Sequence, residues 1–215
     1  MKIALINGSP KQKDSTTGII LNALREKIGE AHECVLCAAS SQSGRDVLEA
    51  VGGCQALVFA FPLYVDGIPS HLLRLLDEIQ HDITGSSPGA MVYAIVHNGF
   101  YEGKQNITAL EMMRNFCDRS GLAWGQGLGV GAGGMAGAAP VGHGPMKNLG
   151  LALDKLTKNI LSGKTEPDHI FEPNFPRFLY KAAAHMGWRM QAKKNGLKTN
   201  QLYDKPFLQD KDGQK

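Results

Sequence analysis

A chain of 215 residues is long enough for one α/β domain with a full core and too short for two large ones. With 43% hydrophobic residues, 20% charged residues and a formal net charge of +3, the composition excludes a disordered or low-complexity protein. The longest apolar stretch, Ala56 to Val65, is broken by Pro62 and falls far short of the roughly 20 residues a membrane span needs, so no integral membrane segment is expected. The N-terminus passes within a few residues of Lys2 into a polar loop, without an apolar run of signal-peptide length, and a cytoplasmic location is the expectation. Four cysteines, at 34, 37, 54 and 117, are too few for a disulfide framework.

In chain order, short apolar runs alternate with segments of helical period. The strands read as Lys2 to Asn7, Glu33 to Cys37, Ala56 to Phe61, Met91 to Val96 and Trp124 to Val130. "ALVFAF" and "MVYAIV" are apolar throughout, as in strands covered on both faces. Between them, Ile20, Leu21, Leu24 and Ile28 form one helical stripe. Leu72, Leu73, Leu76 and Ile79 form another, and Ala109, Met113, Phe116 and Cys117 a third. Leu149, Leu153, Leu156 and Ile160 complete the set, with a weaker helix from Arg45 to Val51. Five βα units with right-handed crossovers predict a three-layer, doubly wound parallel sheet.

Several local patterns imitate functional motifs. Cys34 and Cys37 form C-x-x-C, but in a strand residues three apart face opposite sides, and neither a helix start nor two further metal ligands accompany them. The glycines between 125 and 144 include "GVGAGG", which has dinucleotide-loop spacing but opens no helix before Met146, so a long loop is the reading. "SGKT" at 162–165 lacks the earlier glycine of a phosphate loop and follows a helix; Gly163 reads as that helix's stop. Beyond Pro167 a proline-punctuated connection leads to a basic amphipathic helix, Pro176 to about Lys194, and then a polar, loose tail. The ordinary reading of that helix is packing on its own domain with a solvated charged face. Docking on a membrane surface or a partner subunit is the other.

One stretch points to a ligand. "INGSPKQKDST", residues 6–16, leaves the first strand through small, hydroxyl-bearing and cationic residues into a helix start. In open α/β sheets ligands bind beyond the carboxyl ends of the strands, and a helix N-terminus offers free amides and partial positive charge to an anion. One N-cap explains one hydroxyl. Ser9, Ser15, Thr16 and Thr17, with Lys11 and Lys13 beside them, predict a phosphate cradle.

"GSPKQKDST" after a first strand, with "FPLYVDGIPSHLLRLLDEI" after the third, resembles the flavodoxin-like NAD(P)H-dependent FMN reductase and quinone reductase superfamily. The resemblance spans residues 1–165 and implies a flavodoxin-like five-stranded sheet of order 2-1-3-4-5, with residues 166–215 as a C-terminal helical extension. It implies that Ser9, Lys11, Ser15, Thr16 and Thr17 hold an FMN phosphate. Pro62, Leu63, Tyr64 and Val65, and on the other side His97, Asn98, Gly99 and Phe100, would then line the flavin. The implied activity is hydride transfer from NADH or NADPH through FMN to a small-molecule acceptor: a quinone, a nitro or azo compound, or free flavin. A homodimer is implied, and no nucleic acid, metal or catalytic side chain, because flavin N5 performs the chemistry. A flavodoxin-type electron carrier and a flavin-free binding module of the same fold are the alternatives. The net positive charge and the extension weigh against the carrier.

Overall fold

Apolar runs set the strands and amphipathic stripes the helices of the computed structural model, which describes residues 1–11, 13–83 and 90–204. The order is β1 (Lys2–Asn7), α1 (Thr16–Ile28), β2 (Glu33–Ala38), α2 (Gly44–Val51), β3 (Ala56–Pro62) and α3 (Ser70–Ile83). It continues with β4 (Met91–His97), α4 (Ile107–Ser120), β5 (Ala123–Val130), α5 (Lys147–Ser162), β6 (His169–Phe171) and α6 (Arg177–Lys194). The chain divides into two compact units, Met1–Asn174 and a second from Phe175 onward. Residues 205–215, most of the tail expected to be loose, lie outside the described residues.

Within the first unit every strand pair is parallel and the order is β2-β1-β3-β4-β5-β6. The sheet therefore has six strands, not the five expected. The sixth is only His-Ile-Phe, too short to stand out as an apolar run, and tertiary anchoring places it. The Asp168 carboxylate accepts the Gly127 amide at 2.8 Å and the Trp124 indole at 3.1 Å, and it pairs with Arg114 at 2.7 Å. Those bonds hold the chain alongside β5, where His169, Ile170 and Phe171 take register with Leu128, Gly129 and Val130.

Alternation along β1 sends Ile3 and Leu5 to a core shared with α1 and α5, and Ala4 and Ile6 to a core shared with α2, α3 and α4. Cys34 packs on the first of these and Cys37 lies in the second, so the C-x-x-C pair is split across the sheet. Burial raises both thiols above the ordinary value. Helix ends follow local chemistry. Ser43 and Asp46 form a reciprocal capping box on α2, and Gly163, at φ 61°, stops α5 in the left-handed conformation.

The alternating glycines of β5 are packing devices. Gly125 sits where the β4 register slips between Val92 and Tyr93, and a Cβ there would run into the Tyr93 ring. A Cβ on Gly127 would stand 2.7 Å from Leu110 Cδ2. After β5 the chain makes two short 3-10 turns, Gly133–Gly137 and Gly144–Met146, before α5 begins. No helix of the described residues is long and apolar enough to cross a membrane.

Candidate functional site

The loops after β1, β3 and β4 leave the same carboxyl edge and are stitched to one another. The Gly8 amide donates to the Ala60 carbonyl at 2.8 Å, and His71 Nε2 lies 3.1 Å from the Gly8 carbonyl oxygen. Leu63 N–H donates to the His97 carbonyl at 2.8 Å. Gly8 is required for packing: a Cβ would stand 2.6 Å from Leu72 Cδ2 and 2.8 Å from Phe61 Cβ.

In the first loop the Asn7 carboxamide accepts the Ser9 amide at 2.9 Å, and the buried Ser9 hydroxyl accepts the Lys11 amide at 3.2 Å. Two turns closed by side chains, with Asp14 at φ 50°, carry the chain round to α1. Ser15 is the N-cap, its hydroxyl accepting the Gly18 amide at 3.0 Å. No acidic residue occupies the first turn, so the helix's partial positive charge is uncompensated there. The Thr16 and Thr17 amides have no intrahelical acceptor by virtue of their position. Lys11 is exposed, its ammonium resting on the Asp14 carbonyl at 2.9 Å, and Thr16 is half-buried. Thr17 differs from the others. Its side chain is buried and its hydroxyl lies 2.8 Å from His97 Nε2, so that oxygen is committed inside the protein.

The second loop is a two-residue turn in which Tyr64 and Gly67 exchange backbone hydrogen bonds at 3.1 and 3.0 Å. Val65 (φ 48°) and Asp66 (φ 56°) both adopt the left-handed conformation. An Asp-Gly pair would place glycine at the second central position, yet the chain turns one residue earlier and puts β-branched Val65 where φ must be positive. Tyr64 and Val65 project into solvent, while Leu63 packs on the core below them and Pro62 ends β3, partly buried. Val65→Gly is expected to stabilise the protein by about 1 kcal/mol, the left-handed penalty less glycine's entropy, as read by urea unfolding. An unfolding midpoint unchanged from wild type would show the turn to be unstrained.

In the third loop Asn98 is a scaffold. Its carboxamide accepts the Phe100 amide at 2.9 Å and donates to the Glu102 carbonyl at 3.0 Å, while its backbone amide donates to the Val130 carbonyl. Gly99 and Phe100 are exposed at the tip. His97 is buried, and desolvation lowers its pKa to about 4. It is neutral at pH 7.

The structure thus brings all thirteen predicted residues to one edge and sorts them. Lys11, Thr16, Tyr64, Val65, Gly99 and Phe100 reach the surface, whereas Ser9, Ser15, Thr17, His97 and Asn98 are buried. Sequence reasoning missed Asn7 and His71, which hold the first loop. The Asn-x-Ser spacing at the strand end is a readable signal for the former. Three cavities of the first unit lie elsewhere, one of about 730 Å³ beside Arg25, His32 and Cys34, one of about 600 Å³ between α3 and α4, and one of about 740 Å³ lined by Lys27 of α1 and Leu151 and Lys158 of α5. None of them combines free helix amides with exposed aromatics.

No protein-family model matches the chain, and no curated protein sequence does. Solved structures do. The apo form of an NADH:FMN oxidoreductase, EMOB, superposes with a TM-score of 0.59 at 13% identity, over 77% of this chain and 90% of that one. An NADPH-quinone reductase from P. pentosaceus gives 0.54 at 13%, over 73% and 98%. The WrbA-like flavodoxin from Agrobacterium tumefaciens gives 0.52 at 12%, over 76% and 99%. At such identities the likeness speaks for architecture, and with the strand order and the loop-bearing edge it establishes that this chain has the flavodoxin-like α/β fold.

Proposed function

We propose that the chain is an FMN-dependent oxidoreductase taking hydride from NADH or NADPH and delivering it to a small-molecule acceptor such as a quinone, a nitro or azo compound, or free flavin. The observation that carries this reading is the start of α1: an acid-free first turn, free amides, capping hydroxyls and Lys11, set beside exposed Tyr64 and Phe100. A molecule with a dianionic phosphate at one end and a flat apolar ring at the other matches that arrangement. The similar structures include an NADH:FMN oxidoreductase and an NADPH-quinone reductase, which supports a reductase over a flavin-free binding module.

FMN, when bound, supplies the hydride-accepting centre itself. The chain's residues supply position and charge. The Thr16 and Thr17 amides, the Thr16 hydroxyl and the Lys11 ammonium would hold the phosphate. Ser9 and Ser15, whose oxygens already accept backbone amides, keep hydroxyl protons to donate to it. The Thr17 hydroxyl is withdrawn from that set and locks α1 to the end of β4. Leu63, Tyr64 and the Val65 backbone would face the ring from one side, and Gly99 and Phe100 from the other.

The purified protein mixed with FMN and passed through a desalting column is expected to retain absorbance near ~450 nm, the flavin's own band. Anaerobic NADH or NADPH is expected to bleach it. Protein that emerges colourless would exclude the flavin reading. Flavin that stays oxidised with both nucleotides would favour the carrier. Lys11→Ala is expected to weaken FMN binding about tenfold, the worth of one charge-assisted hydrogen bond, and to leave riboflavin binding unchanged because riboflavin lacks the phosphate. Equal loss for both ligands would place Lys11 away from the phosphate.

A further inference from the structure

Charge is segregated along this chain. Residues 1–174 hold 14 Lys or Arg against 17 Asp or Glu, whereas residues 173–203 hold six Lys or Arg and no acid. Arg177, Lys181, His185, Arg189 and Lys193 recur at four-residue steps on α6. Each step advances about 40° around a helix, so the series sweeps an arc of about 160°. Leu179, Ala183, Met186 and Met190 fill the adjoining arc, while Phe178 and Trp188 lie among the cations.

Within its own unit little of this surface is covered. Of the residues of α6 only Ala192 is buried, and Phe178 (72%), Trp188 (62%) and Met186 (60%) are largely exposed. Among the described residues no ion pair involves Lys181, Arg189, Lys193, Lys194 or Lys198. Leu197 turns back to donate to the Ala192 carbonyl at 2.9 Å. The following 3-10 turn, Thr199–Tyr203, then leaves a cavity of about 490 Å³ lined by Met186, Arg189, Met190, Lys193 and Tyr203. An 18-residue helix with a central glycine and one buried residue is marginal in water, and its apolar arc calls for cover.

We propose that α6 is a peripheral membrane anchor, lying in the plane of an anionic bilayer surface with its cations on lipid phosphates and carboxylates and its Leu, Met, Phe and Trp side chains at the headgroup boundary. Both halves of the pattern are needed for this partner. Nucleic acid would satisfy the cations but leave Leu179, Met186 and Met190 in water. A second copy of the chain would offer apolar cover, but the net charge of its first 174 residues is only −3 and spread over their whole length. An anionic bilayer supplies dense negative charge and an apolar layer together. The inference rests on the second unit alone and stands apart from the flavin reading.

The test is co-sedimentation of the full chain with phosphatidylcholine vesicles and with vesicles that also contain phosphatidylserine. The protein is expected to sediment only with the latter, less so as salt rises, with Trp188 fluorescence shifting to the blue. Each Lys or Arg near such a surface strengthens binding roughly fivefold, so the triple variant Lys181→Ala, Arg189→Ala, Lys193→Ala should bind about 100-fold more weakly. These positions are exposed, and unchanged circular dichroism verifies the fold. Leu179→Glu should also weaken binding, which a purely electrostatic contact would not show. Failure to sediment with anionic vesicles at low salt would overturn the proposal, as would a triple variant that binds like wild type. So would α6-dependent dimerisation or oligonucleotide binding in a protein that ignores vesicles.

Discussion

Acidification from pH 6.5 towards 4 is expected to remove about 3 kcal/mol of stability through His97 alone. Burial holds the folded-state pKa at about 4, against about 6.5 for an unfolded histidine. Between those values the unfolded chain binds a proton that the folded chain refuses, so stability is full above pH 6.5, falls as pH falls through the window and levels off below about 4. The cause is position: the ring sits under Gly133, whose Cβ would stand 2.7 Å from His97 Cβ, with its Nε2 against the Thr17 hydroxyl. Urea unfolding of wild type and His97→Gln at pH 7 and pH 4.5 measures the effect. The wild type should lose about 2.4 kcal/mol more than the variant between the two conditions. Equal losses would mean that the histidine is solvated or already charged. Because the His97 carbonyl accepts Leu63 N–H, the same acid step is expected to loosen the loops after β3 and β4.

Gly131→Ala is expected to destabilise the protein by about 3 kcal/mol, near the upper end of ordinary overpacking. A Cβ at this position would collide with the Tyr101 carbonyl oxygen and stand 2.8 Å from the Gly103 nitrogen. Both neighbours are backbone, and neither can rotate away. Gly103 is itself wedged against the backbones of Phe171 and Gly129. Relief therefore requires moving the loop that carries Phe100, so on the proposed flavin reading FMN affinity should fall with stability. Gly134→Ala, where nothing lies within 4 Å, is the matched control and should stay within about 0.5 kcal/mol of wild type. Similar values for the two variants would show that the β5 edge and the Tyr101 loop are not in close contact.

The βα order was legible because "KIALIN", "ALVFAF" and "MVYAIV" carry strand-length apolar runs on their own, and β1, β3 and β4 lie within one residue of the expected bounds. β6 was not legible, since three residues held by Asp168 have no period to read. Glycines 125, 127 and 129 fall in the expected fifth strand, but their packing role, like that of Gly131, was not legible, because composition alone cannot tell a flexible glycine from one wedged against a neighbour. The site was legible as a position and a set of residue types. The division of labour within it was not. That the Thr17 hydroxyl faces His97, and that Asn98 is spent on its own loop, depend on a pairing 80 residues apart and on a turn geometry that local sequence does not encode.

The short β6 strand also bears on solubility. A sheet edge invites another chain to add a strand, and here one flank ends in three residues that offer little to pair with. Were β6 to fray, the newly bared strand would be "AWGQGLGV", whose recurring glycines make it a poor template for intermolecular growth. The opposite flank is β2, with Glu33 exposed but Leu36 exposed as well. Misassembly under partial unfolding should therefore start at β2, and a lysine at Leu36 is where a more soluble variant would be sought.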